Sequence, residues 1–177
     1  MADHPAAEPP DPADRGDARR GAAGSDAVVE FGWADPEVAV MRMDELARRR
    51  DGWLNVSPKV DYEEPPPGAL AKLFGTRGPM IPVGTWIPGA PTRNGFEPTT
   101  VGLQHGMGQR LLLALREAGQ GTPEGWRTLQ DHARRGVVLQ IPDDTDPAVV
   151  LDWIMRVSEI VLPSDPIGRF RATLHRR

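Results

Sequence analysis

Apolar and polar residues follow regular spacings most clearly in the second half of the chain. Leu111, Leu112, Leu115 and Ala118 recur at helical spacing, and the apolar residues between positions 150 and 161 form a second helical stripe. Both segments are therefore predicted to be helices. β-Branched residues or apolar–polar alternation predict strands in the rest of this half, at 99–105, 126–132, 137–141 and 168–176.

The succession of these elements predicts a fold class. In chain order they read β-α-β-β-α-β from about Thr99 to His175. This is the ferredoxin-like pattern of an α+β two-layer sandwich. We therefore expect one α+β domain over 28–177, with a ferredoxin-like core at 99–175 and N-terminal additions at 28–98.

The first half of the chain has weaker periodicity. Strands are predicted at 27–33 and 52–60 and a short helix at 69–75, whereas 36–50 fits either a helix or a strand, with the helix favoured by Pro36 near its start. The segment 79–89 is expected to be extended and to lie at a sheet edge or over a core, because Pro82 and Pro88 lack backbone donors. Residues 90–98 are expected to form an irregular loop.

Composition limits the classes of protein to consider. The 177 residues carry 19 Gly, 19 Pro and no Cys, with a net charge of −4. The absence of Cys excludes disulfides and thiolate catalysis and is typical of a reducing, cytoplasmic compartment. Residues 1–27 contain no large apolar residue after Met1, so we expect a disordered tail. No apolar run is long enough to span a membrane.

Two histidines follow similar Leu-Gln sequences, at His105 and His132. In the ferredoxin-like order their strands are parallel and flank the strand 137–141. Both rings are then expected at one end of the sheet, partly exposed, where they could share an anion or a metal if they point to one face. A hairpin loop of two or four residues places His132 on the face of Val137, whereas a loop of three places Asp131 there.

The turn after His105 is a second candidate ligand site. Gly106, Gly108 and Arg110 precede a predicted helix, where backbone N–H groups can bind an anion. The spacing does not match a dinucleotide-binding or phosphate-binding motif. The acidic loop at 143–146 is interpreted as a helix cap, with calcium binding as the alternative. We expect no cofactor and no metal, because no third metal ligand can be named.

Two surface features suggest contacts with macromolecules. Trp86 stands beside prolines in the predicted edge segment and is a candidate for an interaction surface. Arg169 and Arg171 alternate with apolar residues in the last strand and could face an acidic partner or a nucleic acid. Nucleic-acid binding is disfavoured, because the chain is acidic and few aromatic residues accompany these arginines.

The segments "DGWLN", "QDHARRGVVLQIP" and "DPAVVLDW" resemble small actinobacterial proteins that have no assigned activity. The resemblance extends from about Asp51 to Val161. It implies a folded family and transfers no catalytic residues.

These patterns contain no nucleophile with a base and no carboxylate pair. The leading hypothesis is therefore a cytoplasmic, non-enzymatic protein that interacts with or regulates a protein partner. The alternatives are a hydrolase or a domain that binds a small ligand, anion or metal through residues 105–110 and His132, and a nucleic-acid binder that uses the Arg-rich last strand.

Overall fold

The structure is a computed structural model that describes residues 27–61, 81–162 and 167–177. Two sequence predictions lie wholly or almost wholly outside these ranges: the disordered tail at 1–27 and the helix at 69–75.

The described chain forms nine strands and three helices. The helices are α1 (Glu37–Arg49), α2 (Leu111–Glu117) and α3 (Pro147–Val161). The strands are β1 (Ala27–Gly32), β2 (Gly52–Pro58), β3 (Val83–Ile87), β4 (Ala90–Thr92), β5 (Gly95–Glu97), β6 (Thr100–Gln104), β7 (Arg127–His132), β8 (Gly136–Gln140) and β9 (Arg169–Arg176). The helical interpretation of 36–50 is thus confirmed.

Seven strands form one antiparallel sheet in the order β1-β9-β2-β3-β6-β8-β7. The mixed α+β class is confirmed, and the second half of the chain has the predicted β-α-β-β-α-β succession. The ferredoxin-like strand order is not confirmed. That order pairs the first strand of the succession with the last, whereas here β2 and β3 lie between β6 and β9.

One face of the sheet packs against the three helices. Val56, Gly84, Leu103 and Val137 lie in one cross-strand row, and a side chain at Gly84 would overlap Ile154 of α3. The buried residues of both layers form a single hydrophobic cluster. Apart from the exposed Val28, the side chains of the opposite face are polar or half-buried, and no helix among the described residues covers them. No helix in the described ranges is long and apolar enough to cross a membrane.

Two local predictions in the N-terminal half were wrong. The segment 79–89 contains β3, which lies in the interior of the sheet between β2 and β6. Pro82 and Pro88 stand just outside β3, so neither removes a hydrogen bond from its ladder. The predicted irregular loop at 90–98 is instead the small β4–β5 hairpin, with Gly95 at positive φ near its turn.

Candidate functional site

The β7–β8 hairpin decides where the second histidine points. His132 pairs with Gly136 across a three-residue tip, and Asp131 pairs with Val137. Asp131 therefore lies on the helix-covered face, and His132 lies on the opposite face. This is the three-residue alternative, except that a bulge between Thr128 and Gln130 leaves Leu129 exposed.

His105 differs from the expectation of a partly exposed ring, because it is fully buried. It lies one residue beyond β6 and interacts electrostatically with Asp131 of β7. β8 does lie between β6 and β7 as predicted, so the two histidine-bearing strands are parallel. The two rings nevertheless belong to opposite sides of the sheet. The shared His105–His132 site is therefore wrong, and the structure places Asp131 near His105 instead.

The environment of His105 disfavours its charged form. Neither ring nitrogen has a hydrogen-bond partner among the described residues. Burial lowers the pKa of the His105 imidazole below its ordinary value, and the Asp131 carboxylate opposes part of that change. Oδ1 of Asp131 accepts a hydrogen bond from the backbone N–H of Leu111 at 3.1 Å, which ties the start of α2 to β7. This cluster joins β6, α2 and β7 at one corner of the domain.

We expect His105→Leu to reduce the acid sensitivity of the fold. A lowered folded-state pKa means that the unfolded chain binds more protons below the ordinary value of 6.5, so wild-type stability falls as the pH drops below it. Leucine removes this linkage and two unpaired polar atoms, so the stability at about pH 7.5 should change by less than about 1 kcal/mol.

The measurement is urea unfolding of both proteins at about pH 7.5 and about pH 5.5. The other ionisable groups are shared, so the difference between the two pH responses isolates His105. Equal losses of stability in both proteins would contradict the assignment.

The turn after His105, which the sequence suggests as an anion site, is open and joins a short helix. Gly108 has a φ of 75° and a side chain there would meet no atom within 4 Å, so its backbone borders open space. Gly106 is half-buried, and Arg110 is exposed directly before α2, with no side-chain cap. The 7-residue α2 is too short to supply a strong helix dipole. No group of three or more His, Asp or Glu side chains in the described ranges could hold a metal ion.

The fold buries Trp86 and exposes Arg169 and Arg171, the three residues predicted to contact macromolecules. Trp86 is 3% exposed and faces the helices, so it cannot form a contact surface; it was misread because β3 was assigned to an edge. Arg169 and Arg171 are exposed, but β9 lies between β1 and β2. Acidic neighbours balance both charges: Arg169 pairs with Asp35 at 3.4 Å, and Arg171 pairs with Glu30 at 3.5 Å.

The acidic loop before α3 is a structural cap. Asp146 accepts a hydrogen bond from Ala148 N–H at 2.8 Å, as the capping interpretation predicts. Asp143 accepts from both the backbone N–H and the hydroxyl of Thr99, at 3.1 and 2.6 Å. The Thr99 hydroxyl in turn accepts from Gly89 N–H at 2.9 Å. These bonds join the loop to the base of the β4–β5 hairpin.

An open cleft of about 490 Å³ lies on the outer side of the helix layer. Trp33 contributes from the β1–α1 turn, Gln120 from the segment after α2, and Ile160 from the end of α3. Trp33 is 39% exposed and Ile160 is 37% exposed. Two large apolar side chains thus meet water in this cleft. The remaining lining residues are Arg156 and Glu159.

Trp33 is held in place although it is exposed. Its indole N–H donates to Oε1 of Glu159 at 2.8 Å, and the Arg156 guanidinium lies 5.3 Å from its ring centroid. Phe170 contacts the ring edge-on at 6.1 Å between centroids. Arg156 is itself paired with Asp152 at 2.8 Å. The hydrogen bond to Glu159, the guanidinium of Arg156 and the ring of Phe170 therefore hold the indole in one orientation before any partner binds.

The sequence patterns did not indicate this cleft. Its residues come from the β1–α1 turn, the segment after α2 and the outer side of α3, and each was assigned only to a local element. Ile160 was placed on the buried stripe of α3, whereas the structure exposes it. Arg156 and Glu159 did not indicate a binding site in the sequence, because oppositely charged residues three positions apart are common on helix surfaces.

Comparisons with known proteins found no match: no family model fits the chain, and no curated protein or solved structure is similar to it.

Proposed function

We propose that this chain is a cytoplasmic, non-enzymatic interaction domain that binds a protein partner through the Trp33 cleft. The observation that carries the proposal is the exposed indole held by Glu159, Arg156 and Phe170. Tryptophan and arginine are the residues most often found to dominate the binding energy of protein interfaces. A cytoplasmic setting is consistent with a chain that has no cysteine.

The shape of the cleft favours a protein over a small molecule. Small-molecule pockets bury most of the ligand surface, whereas this cleft is open to solvent and presents side chains that project outward. Trp33 and Ile160 form an apolar centre, and Arg156 and Glu159 form polar edges. This distribution matches the apolar core and polar rim of a protein interface.

Preorganisation of the indole adds to the argument. A side chain that is immobilised only on binding loses rotamer entropy at that moment, which weakens the complex. Trp33 is already fixed by a hydrogen bond, a cation–π contact and an aromatic contact. The partner is expected to insert an apolar side chain beside the indole and Ile160.

The test is a quantitative capture experiment with Trp33→Ala. The wild-type domain, Trp33→Ala and a control would be immobilised and exposed to lysate of the native host, with bound proteins measured by mass spectrometry. The control is Phe96→Ala, because Phe96 is also exposed (49%) and also carries an arginine, Arg50, 5.3 Å from its ring centroid. It lies on β5 and does not line the cleft.

We expect at least one protein to be retained by the wild type and by Phe96→Ala, with about tenfold less on Trp33→Ala. Thermal unfolding of all three proteins would verify that the fold is intact. A captured set that does not depend on Trp33 would contradict the proposal. Sedimentation of the purified domain would show whether the Trp33-dependent partner is a second copy of the chain.

A further inference from the structure

A second surface lies at the corner where α2 begins and the β7–β8 hairpin turns. Leu111 N–H is bonded to Asp131, which brings Arg110 next to the end of β7. Arg134 and Arg135 form most of the three-residue tip that follows β7. We call Arg110, His132, Arg134 and Arg135 the basic corner; all four residues are exposed.

The basic corner has a positive charge that no acidic side chain of the described residues pairs with. Arg169, Arg171 and Arg176 each have a carboxylate partner within 4 Å. No such pair involves Arg110, Arg134 or Arg135 within the described residues. The nearest acidic residue in sequence, Asp131, turns inward to Leu111 N–H. Three arginines on neighbouring segments therefore have no acidic partner among the described residues, in a chain whose net charge is −4.

The hairpin tip is rigid because His132 closes it. Its Nδ1 accepts hydrogen bonds from the backbone N–H groups of Arg134 and Arg135, at 3.1 and 3.4 Å. In the neutral ring the proton must then sit on Nε2, which is left as a donor. The corner thus combines three guanidinium groups with an imidazole N–H on a fixed backbone. Guanidinium forks match carboxylates in geometry as well as charge.

We propose that the basic corner binds an acidic segment of the protein partner. The inference rests on the proposed function, since it states the chemistry of that partner, but it uses a surface separate from the Trp33 cleft. A peptide is favoured over a nucleic acid, because no exposed aromatic ring of the described residues lies in the corner to stack a base.

The neighbouring edge strand constrains how the acidic segment lies. β7 is the last strand of the sheet, and its bulge at Leu129 interrupts regular pairing. Bulges and charged residues on an edge oppose the addition of a further strand. The acidic segment is therefore expected to cross the hairpin tip through side-chain contacts and not to extend the sheet.

The test uses a fluorescein-labelled peptide of alternating Glu and Gly, with a Lys-Gly peptide as the charge-reversed control. We expect the full chain to bind the Glu-Gly peptide and not the Lys-Gly peptide. Arg134→Gln/Arg135→Gln should weaken this binding by about 5- to 30-fold, and salt at about 0.3 M should weaken wild-type binding similarly. Fluorescence anisotropy measures both effects.

The matched control is Arg48→Gln/Arg93→Gln, which removes the same charge from two other exposed arginines, on α1 and at the β4–β5 turn. It should change affinity by less than about twofold. Equal losses in both double variants, or no wild-type binding to the Glu-Gly peptide, would overturn the proposal. Tighter binding of a single-stranded oligonucleotide with the same dependence on Arg134 and Arg135 would overturn it in favour of a nucleic-acid surface.

A last variant separates this inference from the proposed function. Trp33→Ala should leave Glu-Gly binding unchanged, because Trp33 is not part of the basic corner. Loss of partner capture without loss of peptide binding in Trp33→Ala would show that the cleft and the basic corner act as separate surfaces. Unchanged partner capture by Arg134→Gln/Arg135→Gln would overturn the proposal that the basic corner binds that partner.

Discussion

Trp153→Ala is expected to destabilise the domain by about 3–5 kcal/mol. Trp153 is 5% exposed in the middle of α3, and its ring lies 5.4 Å from that of Trp126. Truncation removes most of a large side chain from the layer between α3 and the sheet, and surrounding residues can fill only part of the space. Urea unfolding monitored by far-UV circular dichroism measures the change.

The control for this variant is Val149→Ala on the same helix. Val149 is 47% exposed, so its truncation should change the free energy of unfolding by less than about 1 kcal/mol. Similar free energies for the two variants would show that α3 does not pack on the sheet through the Trp153 side.

Gly136→Ala is expected to lower the free energy of unfolding by about 3 kcal/mol or more, for two reasons that act together. Gly136 has a φ of 77°, which strains any residue with a side chain. A Cβ atom there would also overlap the Leu103 carbonyl of β6. The substitution must therefore push β8 away from β6 or unfold the hairpin tip.

Gly119→Ala separates the two causes. Gly119 has a similar φ of 70°, but a side chain there would meet no atom within 4 Å. It should cost about 1–2 kcal/mol, from backbone strain alone. The difference between the two variants, measured by urea unfolding, then gives the steric contribution at Gly136. Equal costs would mean that β8 is free to move away from β6.

Local patterns predicted the elements of the second half well, and α3 illustrates why. Its N-cap at Asp146, Pro147 in the first turn and buried side chains from Val150 to Val161 all follow from near neighbours in sequence. The hairpin length at 133–135 was an open alternative, because Gly136 allows several loop geometries. Helical spacing alone also placed Ile160 on the buried stripe, since it cannot show where the sheet ends.

Strand order depends on contacts between distant residues and was not predicted. The ferredoxin-like pattern placed β6 beside β9, whereas β2 and β3 occupy that space. Trp86 was assigned to the surface because Pro82 and Pro88 were taken to place its segment at a sheet edge. Pro82 and Pro88 flank β3 and mark its two ends. The local sequence does not show whether a proline ends a strand or interrupts it, so the central position of β3 could not be predicted.

The candidate sites were less predictable than the fold. Arg110 and His132 were selected from the sequence and do share a corner, but through Asp131 and Leu111 and without His105. Arg134 and Arg135 were not selected from the sequence, because the sequence does not show which arginines have acidic partners in the fold. The Trp33 cleft depends on three separated segments. Both features are products of packing, so spacing within one element could not reveal them.

The position of β9 has a consequence for the order in which the chain folds. β1 pairs in the main sheet with β9 alone, in a register that joins Ala27 to Leu174. A chain that emerges from the ribosome must keep β1 and the outer side of β2 unpaired until β9 has been synthesised. These pairings have a high contact order, so the entropy of closing a long loop is lost before they form. Until then the apolar side of β1, with Val29 and Phe31, is exposed to association with other nascent chains.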